Sequence, residues 1–184
     1  MKTALILLAP GVEETEAVTI IDVLRRAKVE IISAGLDQPL VEGAHAIKIM
    51  ADTVLAEVAE RSFDLVILPG GMGGTNNLLA SEAVLALLRR HAAQGALVSA
   101  ICAAPLVLEK AGLLAGKKAT VYPGLEAKLL SAAQIAAGRV VEDGNIITSQ
   151  GPGTAMAFAL HLVEKVAGKP TADQVAKGLL YQGA

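Results

Sequence analysis

The sequence predicts a doubly wound α/β/α sandwich in which a mostly parallel sheet is buried between two layers of helices. Two observations predict it. Short continuous apolar runs alternate with helical patterns along the 184 residues, which is typical of parallel strands that are covered on both faces. No linker, repeat or low-complexity segment interrupts this alternation, so a single domain is expected over residues 1–184. Together they indicate a sheet of the flavodoxin-like type.

The apolar runs predict six strands, at Ala4–Leu8, Glu30–Ala34, Leu65–Leu68, Leu97–Ile101, Ala119–Tyr122 and Ile146–Thr148. Amphipathic patterns predict helices at Glu14–Ala27, Glu82–Gln94 and Thr154–Ala167. The first of these has acidic residues near its N-terminus, where the helix dipole favours negative charge. Gly95 and Gly168 follow the other two helices and are typical stop signals. Between Pro39 and Met50 the pattern predicts a small hairpin, with Gly43 near its turn.

The composition narrows the choice of partners and compartment. The formal charge is −2 and no run of Lys or Arg exceeds two, so neither nucleic acid nor an anionic membrane is an expected partner. Aromatic residues make up 2% of the chain, which leaves little material for stacking on bases or a flavin. One cysteine cannot form an internal disulfide, which fits a reducing cytoplasm. The apolar run at Thr3–Leu8 is short for a signal core, so we expect a strand there and no membrane span.

Cys102 is the most informative residue of the chain. It follows the predicted strand Leu97–Ile101 and precedes a helical pattern with an early proline. This places the thiol on a strand-to-helix turn, the geometry of a nucleophile elbow. Since N–H groups at a helix start favour negative charge, we expect the thiol to ionise more readily than free cysteine. The alternative is a structural cysteine that packs as a small buried hydrophobe.

Other informative segments also follow predicted strands. They are Ala9-Pro10-Gly11, which leads to Glu13, Glu14 and Glu16, then Pro69–Gly74, Tyr122-Pro123-Gly124 and Gln150–Gly153. In doubly wound folds the ligand site lies beyond the carboxyl ends of the strands, so we expect these segments to converge on one rim with Cys102. A nucleotide site is not expected, because the glycine-rich segment lacks the Lys-Ser/Thr of a phosphate loop. The three scattered histidines and one cysteine have no zinc-ligand spacing.

Four motifs, in order along nearly the whole chain, resemble the ThiJ/PfpI superfamily. They are Ala9–Ala17, Leu68–Gly71, Ala100–Pro105 and Thr148–Thr154. Within the superfamily they are similar to the branch that holds the Parkinsonism-associated protein deglycase (DJ-one) and bacterial YajL-type proteins. Each motif alone is weak, but four in sequence at strand ends are specific.

The resemblance implies roles for individual residues. It implies a reactive Cys102 whose thiolate is hydrogen-bonded by a protonated Glu16, and oxyanion N–H groups on Gly71 and Ala103. A carboxyl group beside a thiolate in an apolar pocket is also expected to have a raised pKa on physical grounds. Tyr122 stands where the human-type member has a histidine. General-base help from an imidazole is therefore missing, and Tyr122 is expected at most to donate a hydrogen bond or shape the pocket.

The remaining acidic and histidine side chains favour neither hydrolase mechanism of the superfamily. The protease-like branch has a histidine directly after the cysteine, whereas Ala103 stands here. Glutamine amidotransferases use a downstream His with a Glu two residues later, and Val163 stands two residues after His161. His45 and His91 are expected at the surface. Glu13 and Glu14 are expected to be solvated acids of the first helical turn.

By this resemblance the chain is expected to be a cysteine-dependent glyoxalase or deglycase without metal or cofactor. Its substrates would be methylglyoxal, glyoxal or their early adducts with protein or nucleotide groups. Relatives of this kind imply a homodimer. Two alternatives stay open: a redox-sensing chaperone that uses the same cysteine, and an inert α/β domain whose thiol reacts no faster than free cysteine.

Overall fold

The computed structural model describes residues 2–183, so Met1 and Ala184, which the predicted domain includes, lie outside the described residues. In chain order the elements are β1 (Thr3–Leu8), α1 (Glu14–Arg26), β2 (Glu30–Gly35), β3 (Leu40–Glu42), β4 (Lys48–Met50), β5 (Thr53–Val54), α2 (Leu55–Val58), β6 (Leu65–Leu68), α3 (Met72–Ala80), α4 (Glu82–Ala93), β7 (Leu97–Ile101), α5 (Pro105–Lys110), β8 (Lys118–Ala119), β9 (Gln134–Ile135), β10 (Val140–Asp143), β11 (Ile146–Ser149), α6 (Ala155–Ala167) and α7 (Lys169–Gly178). Short 3₁₀ turns lie at Glu126–Lys128 and Pro152–Thr154.

The main sheet has the strand order β10-β11-β7-β6-β1-β2-β5. Its central pairs are parallel, as in β1 with β2 and β6 with β7, while β10 runs antiparallel to β11 at one edge. A second, two-stranded sheet is the hairpin of β3 and β4, whose turn is closed by a hydrogen bond from the Gly43 N–H to the Ile47 carbonyl. The mostly parallel α/β architecture and the hairpin are both confirmed.

Helices cover both faces of the sheet because its central strands are apolar on both. In β1, Ile6 and Leu8 pack in a cluster with residues of α1, α6 and α7. Leu5 and Leu7, on the opposite face, pack in a cluster with residues of α2, α3, α4 and α5. All four side chains are fully buried, and each contributes roughly 1.5–3 kcal/mol relative to exposure. The continuous apolar runs in the sequence arise because these strands are buried on both faces of the sheet.

The predicted strand at Ala119–Tyr122 is wrong in its extent and its place. The strand there is only Lys118–Ala119, and it pairs with β9 outside the main sheet. The Thr120 N–H donates to Oγ1 of Thr148 at 2.9 Å, so a side chain takes the bond that a neighbouring strand would have accepted. The segment therefore contacts a side chain of β11, which lies inside the sheet, without joining the sheet's ladder.

Three helices, α2, α3 and α7, have no counterpart among the predicted elements. α3 begins at Met72, so Gly73 and Gly74 lie in its first turn. Glycine has low helix propensity, which hides the helix from a pattern search. α7 begins directly after Gly168. The three helices that the amphipathic patterns predicted are confirmed, each with one end shifted by one residue.

The topology gathers the functional segments at one edge. The chain leaves β1, β6, β7 and β11 at their carboxyl ends, and these four strands are neighbours in the sheet. The loops after them therefore meet, as the rule for doubly wound folds predicts. Among residues 2–183, none of the helices is both long and apolar enough to cross a membrane.

Candidate active site

Cys102 sits on a sharp turn directly after β7. Its φ is +64°, a left-handed backbone conformation that is uncommon for a residue with a side chain. The turn is fixed on both sides: the Cys102 N–H donates to the Ser149 carbonyl at 3.0 Å, and the Tyr122 N–H donates to the Cys102 carbonyl at 2.8 Å. Helix α5 starts only at Pro105. The expected elbow is present, although two residues separate the thiol from the helix.

Two backbone N–H groups, those of Gly71 and Ala103, face the Cys102 sulfur and lower the pKa of its thiol. Gly71 has a φ of +85°, and a Cβ atom built on it would lie 2.3 Å from the carbonyl oxygen of Gly11. No other residue fits there, because both the conformation and the space exclude a side chain. The structure thus brings the two predicted N–H donors to the sulfur, where they also face an oxygen atom formed next to it.

Glu16 lies in the first turn of α1 and is fully buried. Its Oε2 accepts a hydrogen bond of 2.7 Å from the Gly70 N–H. The carboxyl group also interacts with the Cys102 side chain, while its Oε1 has no hydrogen bond of standard geometry to the described residues. A buried carboxylate with so few donors is costly. The site therefore favours a carboxyl group that keeps its proton.

Gly70 belongs to the candidate site, and the sequence analysis did not single it out. A Cβ atom on Gly70 would lie 2.4 Å from the Cys102 Cβ and 2.8 Å from Oε2 of Glu16. Only a glycine lets the backbone pass between the thiol and the carboxyl group and still donate to the latter. The glycine pair that directly follows an apolar strand was the available signal.

The electrostatics of Glu16 and Cys102 are coupled. Burial raises the pKa of Glu16 to about 7, against the smaller lowering by the Gly70 N–H and Cys102. Burial first, and the negative charge of Glu16 second, raise the pKa of Cys102 to about 12, while the N–H groups of Gly71 and Ala103 lower it. This departs from the expectation of an acidic thiol set by a helix start alone. Since two adjacent buried charges cannot coexist, the pair holds at most one negative charge near neutral pH. A thiolate on Cys102 requires that Glu16 keep its proton, which removes the second of the two causes that raise the thiol pKa.

The thiol opens into a cavity of about 310 Å³. Its wall is mainly apolar, and Ala44, Met72, Tyr122, Leu125 and Pro152 contribute to it. Larger depressions of about 510 and 520 Å³ lie near Lys2 and Asp64 at the opposite end of the sheet. Neither of these two is lined by the cysteine.

The sequence pattern of the DJ-1/PfpI family matches residues 2–165. The chain belongs to this family. It is similar to the protein dj-1beta of Drosophila melanogaster, with 48% identity over 181 residues and 97% of each chain covered. A crystal structure of Drosophila melanogaster DJ-1beta superposes with a TM-score of 0.96 at 47% identity, covering 99% of both chains. The chain is also 35% identical to the glutathione-independent glyoxalase DJR-1.2 of Caenorhabditis elegans, over 97% of this chain and 96% of the relative. The resemblance seen in the motifs is confirmed.

In this DJ-1/PfpI protein, Tyr122 stands at the cavity rim. Its side chain is 47% exposed, and its ring lies against the backbone of Gly151, where a Cβ atom would come within 3.3 Å. The ring therefore forms part of the wall. Its backbone, through the bond to the Cys102 carbonyl, also holds the elbow in place.

Glu14 and Glu13 are not solvated, contrary to expectation. Glu14 is 4% exposed, and its Oε1 accepts hydrogen bonds from the backbone N–H groups of His45 and Ile47, while Oε2 meets Nδ1 of His45 at 2.9 Å. The Glu13 side chain is 12% exposed and lines the Cys102 cavity. Both acids therefore face the protein, one toward the hairpin and the other toward the site.

The histidines are divided between the surface and the core. His45 is exposed in the hairpin as expected. The expectation for His91 is wrong: it is fully buried, its Nε2 accepts from the Phe63 N–H at 3.2 Å, and its Nδ1 faces the Leu87 carbonyl at 2.8 Å. Burial lowers its pKa. His161 pairs with Glu142 at 2.7 Å on the outer side of the fold, away from Cys102.

Proposed function

We propose that this protein is a cofactor-independent glyoxalase or deglycase that acts on methylglyoxal, glyoxal or their early glycation adducts in the cytoplasm. The observation that carries the proposal is a fully buried Glu16, with a raised pKa, beside the only cysteine of the chain. The name of the Caenorhabditis elegans relative supports this reaction class. The small apolar cavity supports a small aldehyde as the reactant.

In the proposed mechanism the Cys102 thiolate attacks the aldehyde carbon of methylglyoxal and forms a C–S bond. The N–H groups of Gly71 and Ala103 bind the resulting oxyanion, which then takes the proton of Glu16 to give a hemithioacetal. The Glu16 carboxylate next removes the hydrogen from this carbon to give an enediolate and returns the proton to the neighbouring carbon, while the hydroxyl proton of the hemithioacetal passes to the neighbouring oxygen. The product is a thioester, and water hydrolyses it to lactate and the free thiol.

The experiment measures lactate formation from purified methylglyoxal without added glutathione. We expect Cys102→Ala to abolish turnover and Glu16→Gln to lower it by roughly 10²-fold or more, since both the nucleophile and the proton carrier are required. Glu30→Gln is the matched control, because Glu30 is an exposed acid at the opposite end of the sheet. Near-normal turnover in either site variant contradicts the mechanism.

A second function, a redox-regulated chaperone, is favoured by one specific observation. The chain has one cysteine, so an oxidised Cys102 has no intramolecular thiol to form a disulfide and stops at the sulfenate or sulfinate. A protonated Glu16 donates equally well to a sulfinate oxygen. Intact-mass measurement after mild peroxide treatment tests it: a selective gain of two oxygens on Cys102, with negligible methylglyoxal turnover, favours this function over the first.

We also propose a homodimer. Large apolar side chains are exposed on α1 and on the neighbouring hairpin: Val18 at 52%, Leu40 at 50%, Ile47 at 57% and Met50 at 66%. Exposed apolar groups of this kind are typical of association surfaces. Light scattering coupled to size-exclusion chromatography measures the assembly, and a monomeric mass at micromolar concentration contradicts it.

A further inference from the structure

The Cys102 cavity contains one charged side chain that the mechanism does not use. Glu13 precedes α1, and its backbone N–H donates to the Gly70 carbonyl at 2.9 Å, which fixes the residue against the strand-end loop that faces Cys102. Its carboxyl group is 12% exposed and forms part of the cavity lining. Glu13 is thus an acidic side chain held at the wall of the Cys102 cavity.

Positive charge that would offset Glu13 is scarce. Within residues 2–183, no Lys or Arg lines this cavity. The ionisable side chain that pairs with Glu13 is His45, with Nδ1 at 3.6 Å from Oε2 of Glu13, but the same nitrogen lies closer, at 2.9 Å, to Glu14. Two acids therefore share one imidazole.

We infer that Glu13 makes the Cys102 cavity selective for uncharged aldehydes and excludes those that carry a carboxylate or a phosphate. An anionic group in a cavity of about 310 Å³ has to lie near Glu13, and it loses its hydration without gaining a cationic partner. An uncharged dicarbonyl meets the apolar wall without this cost. The claim about which aldehydes are substrates rests on the proposed function. The claim that the cavity disfavours anions does not.

The test uses two alkylating reagents of nearly equal shape, iodoacetamide and iodoacetate, which differ in charge. The ratio of their second-order rate constants at Cys102 is compared with the same ratio for N-acetylcysteine. Both reagents require the same thiolate, so a change in thiol pKa or reactivity cancels in the ratio. We expect the ratio in the native protein to exceed that of N-acetylcysteine by on the order of tenfold.

Four variants make the result specific. Glu13→Gln is expected to bring the ratio close to that of N-acetylcysteine, and Glu13→Asp, which keeps the charge, is expected to retain most of the selectivity. His45→Gln removes the neighbouring cation and is expected to raise the ratio. Glu30→Gln, the distant control, is expected to leave it unchanged. A ratio that is equal in the native protein and in Glu13→Gln overturns the inference.

A second readout links the cavity to substrates. Glyoxylate, a small anionic aldehyde, is expected to inhibit methylglyoxal turnover on the order of tenfold more strongly in Glu13→Gln than in the native protein. The two claims fail separately. A protein that forms no lactate but shows the Glu13-dependent alkylation ratio refutes the proposed function and keeps the inference, and lactate formation with a ratio independent of Glu13 does the reverse.

Discussion

Two glutamates in one helical turn have pKa values that are shifted in opposite directions. Glu14 and Glu16 are both in the first turn of α1, and both are buried. Burial raises the pKa of Glu14, but the His45 ring and the backbone N–H groups of Glu14, His45 and Ile47 together lower it to about 2. Burial raises the pKa of Glu16 to about 7, because the single N–H of Gly70 offsets little of it.

The difference shows that an acid in this fold stays charged where it lies near the surface among several donors, and keeps its proton where it lies deep with few. On the hairpin side, donors surround Glu14 and keep it ionised, where it holds the turn of β3 and β4 against α1. On the strand-end side, donors are few and Glu16 keeps its proton beside Cys102. Two carboxyl groups with separated pKa values are a common basis for assigning different roles to them.

The largest expected effect concerns turnover. Glu16→Gln should lower kcat/KM for methylglyoxal by roughly 10²- to 10⁴-fold, since proton transfer by a positioned group contributes that much. Glu14→Gln should lower it by less than about tenfold, because Glu14 faces the hairpin and not the thiol. Steady-state lactate assays on the two purified variants measure the contrast. Equal losses of kcat/KM in both variants would show that Glu14 and Glu16 do not have separate roles.

The second effect concerns stability at rising pH. Because the folded-state pKa of Glu16 is raised from 4.5 to about 7, the stability that its protonated form provides is complete below pH 4.5 and is lost as the pH rises to about 7. The loss is on the order of 3 kcal/mol. Urea unfolding at several pH values measures it. The difference between wild type and Glu16→Gln isolates this slope, and a difference that does not vary with pH contradicts the raised pKa.

The third effect has the opposite sign. The folded-state pKa of Glu14 is lowered from 4.5 to about 2, so its contribution is present above pH 4.5 and is lost as the pH falls toward 2. Glu14→Gln should therefore lower the free energy of unfolding at pH 7 by roughly 2–3 kcal/mol. The deficit should shrink by pH 3. A deficit of equal size at both pH values would show that packing, not charge, holds the hairpin.

The smallest effect is expected at His45. Its side chain is 68% exposed, and its backbone N–H, which also binds Glu14, is kept in any substitution. His45→Gln should shift the melting temperature by less than about 3 °C, as expected for loss of an exposed ion pair. Thermal unfolding at pH 6 measures it. A shift as large as that of Glu14→Gln would mean that the imidazole, not the backbone, is the main partner of the acid.

The fold could be predicted from the sequence because continuous apolar runs mark strands that are covered on both faces. The error at Ala119–Tyr122 arose because the Oγ1 of Thr148, 28 residues away from Thr120, takes the hydrogen bond of the ladder. The helix at Met72–Ala80 was missed because its first turn is rich in glycine. In each case a contact or a close approach outweighed the local pattern.

The site was predicted in part. The motifs located Cys102, Glu16 and the two N–H donors, and the structure brings them together. The burial of Glu14 and His91 could not be predicted, because their partners lie far along the chain: 31 residues separate Glu14 from His45, and 28 separate His91 from Phe63. Charged or titratable residues become buried when the fold supplies donors, and a single sequence does not show where those donors end up.

The proposed mechanism requires that at neutral pH the charge of the pair lies on the Cys102 sulfur while Glu16 keeps its proton, against the burial that raises the pKa of the thiol. The pH dependence of Cys102 alkylation by iodoacetamide, in wild type and in Glu16→Gln, tests it most directly. The account predicts that the wild-type rate reaches its plateau with an apparent pKa below the roughly 8.5 of free cysteine, and that Glu16→Gln does not lower this value. A wild-type rate that still rises above pH 10, together with a sharp fall of the apparent pKa in Glu16→Gln, would place the charge on Glu16 and contradict the account.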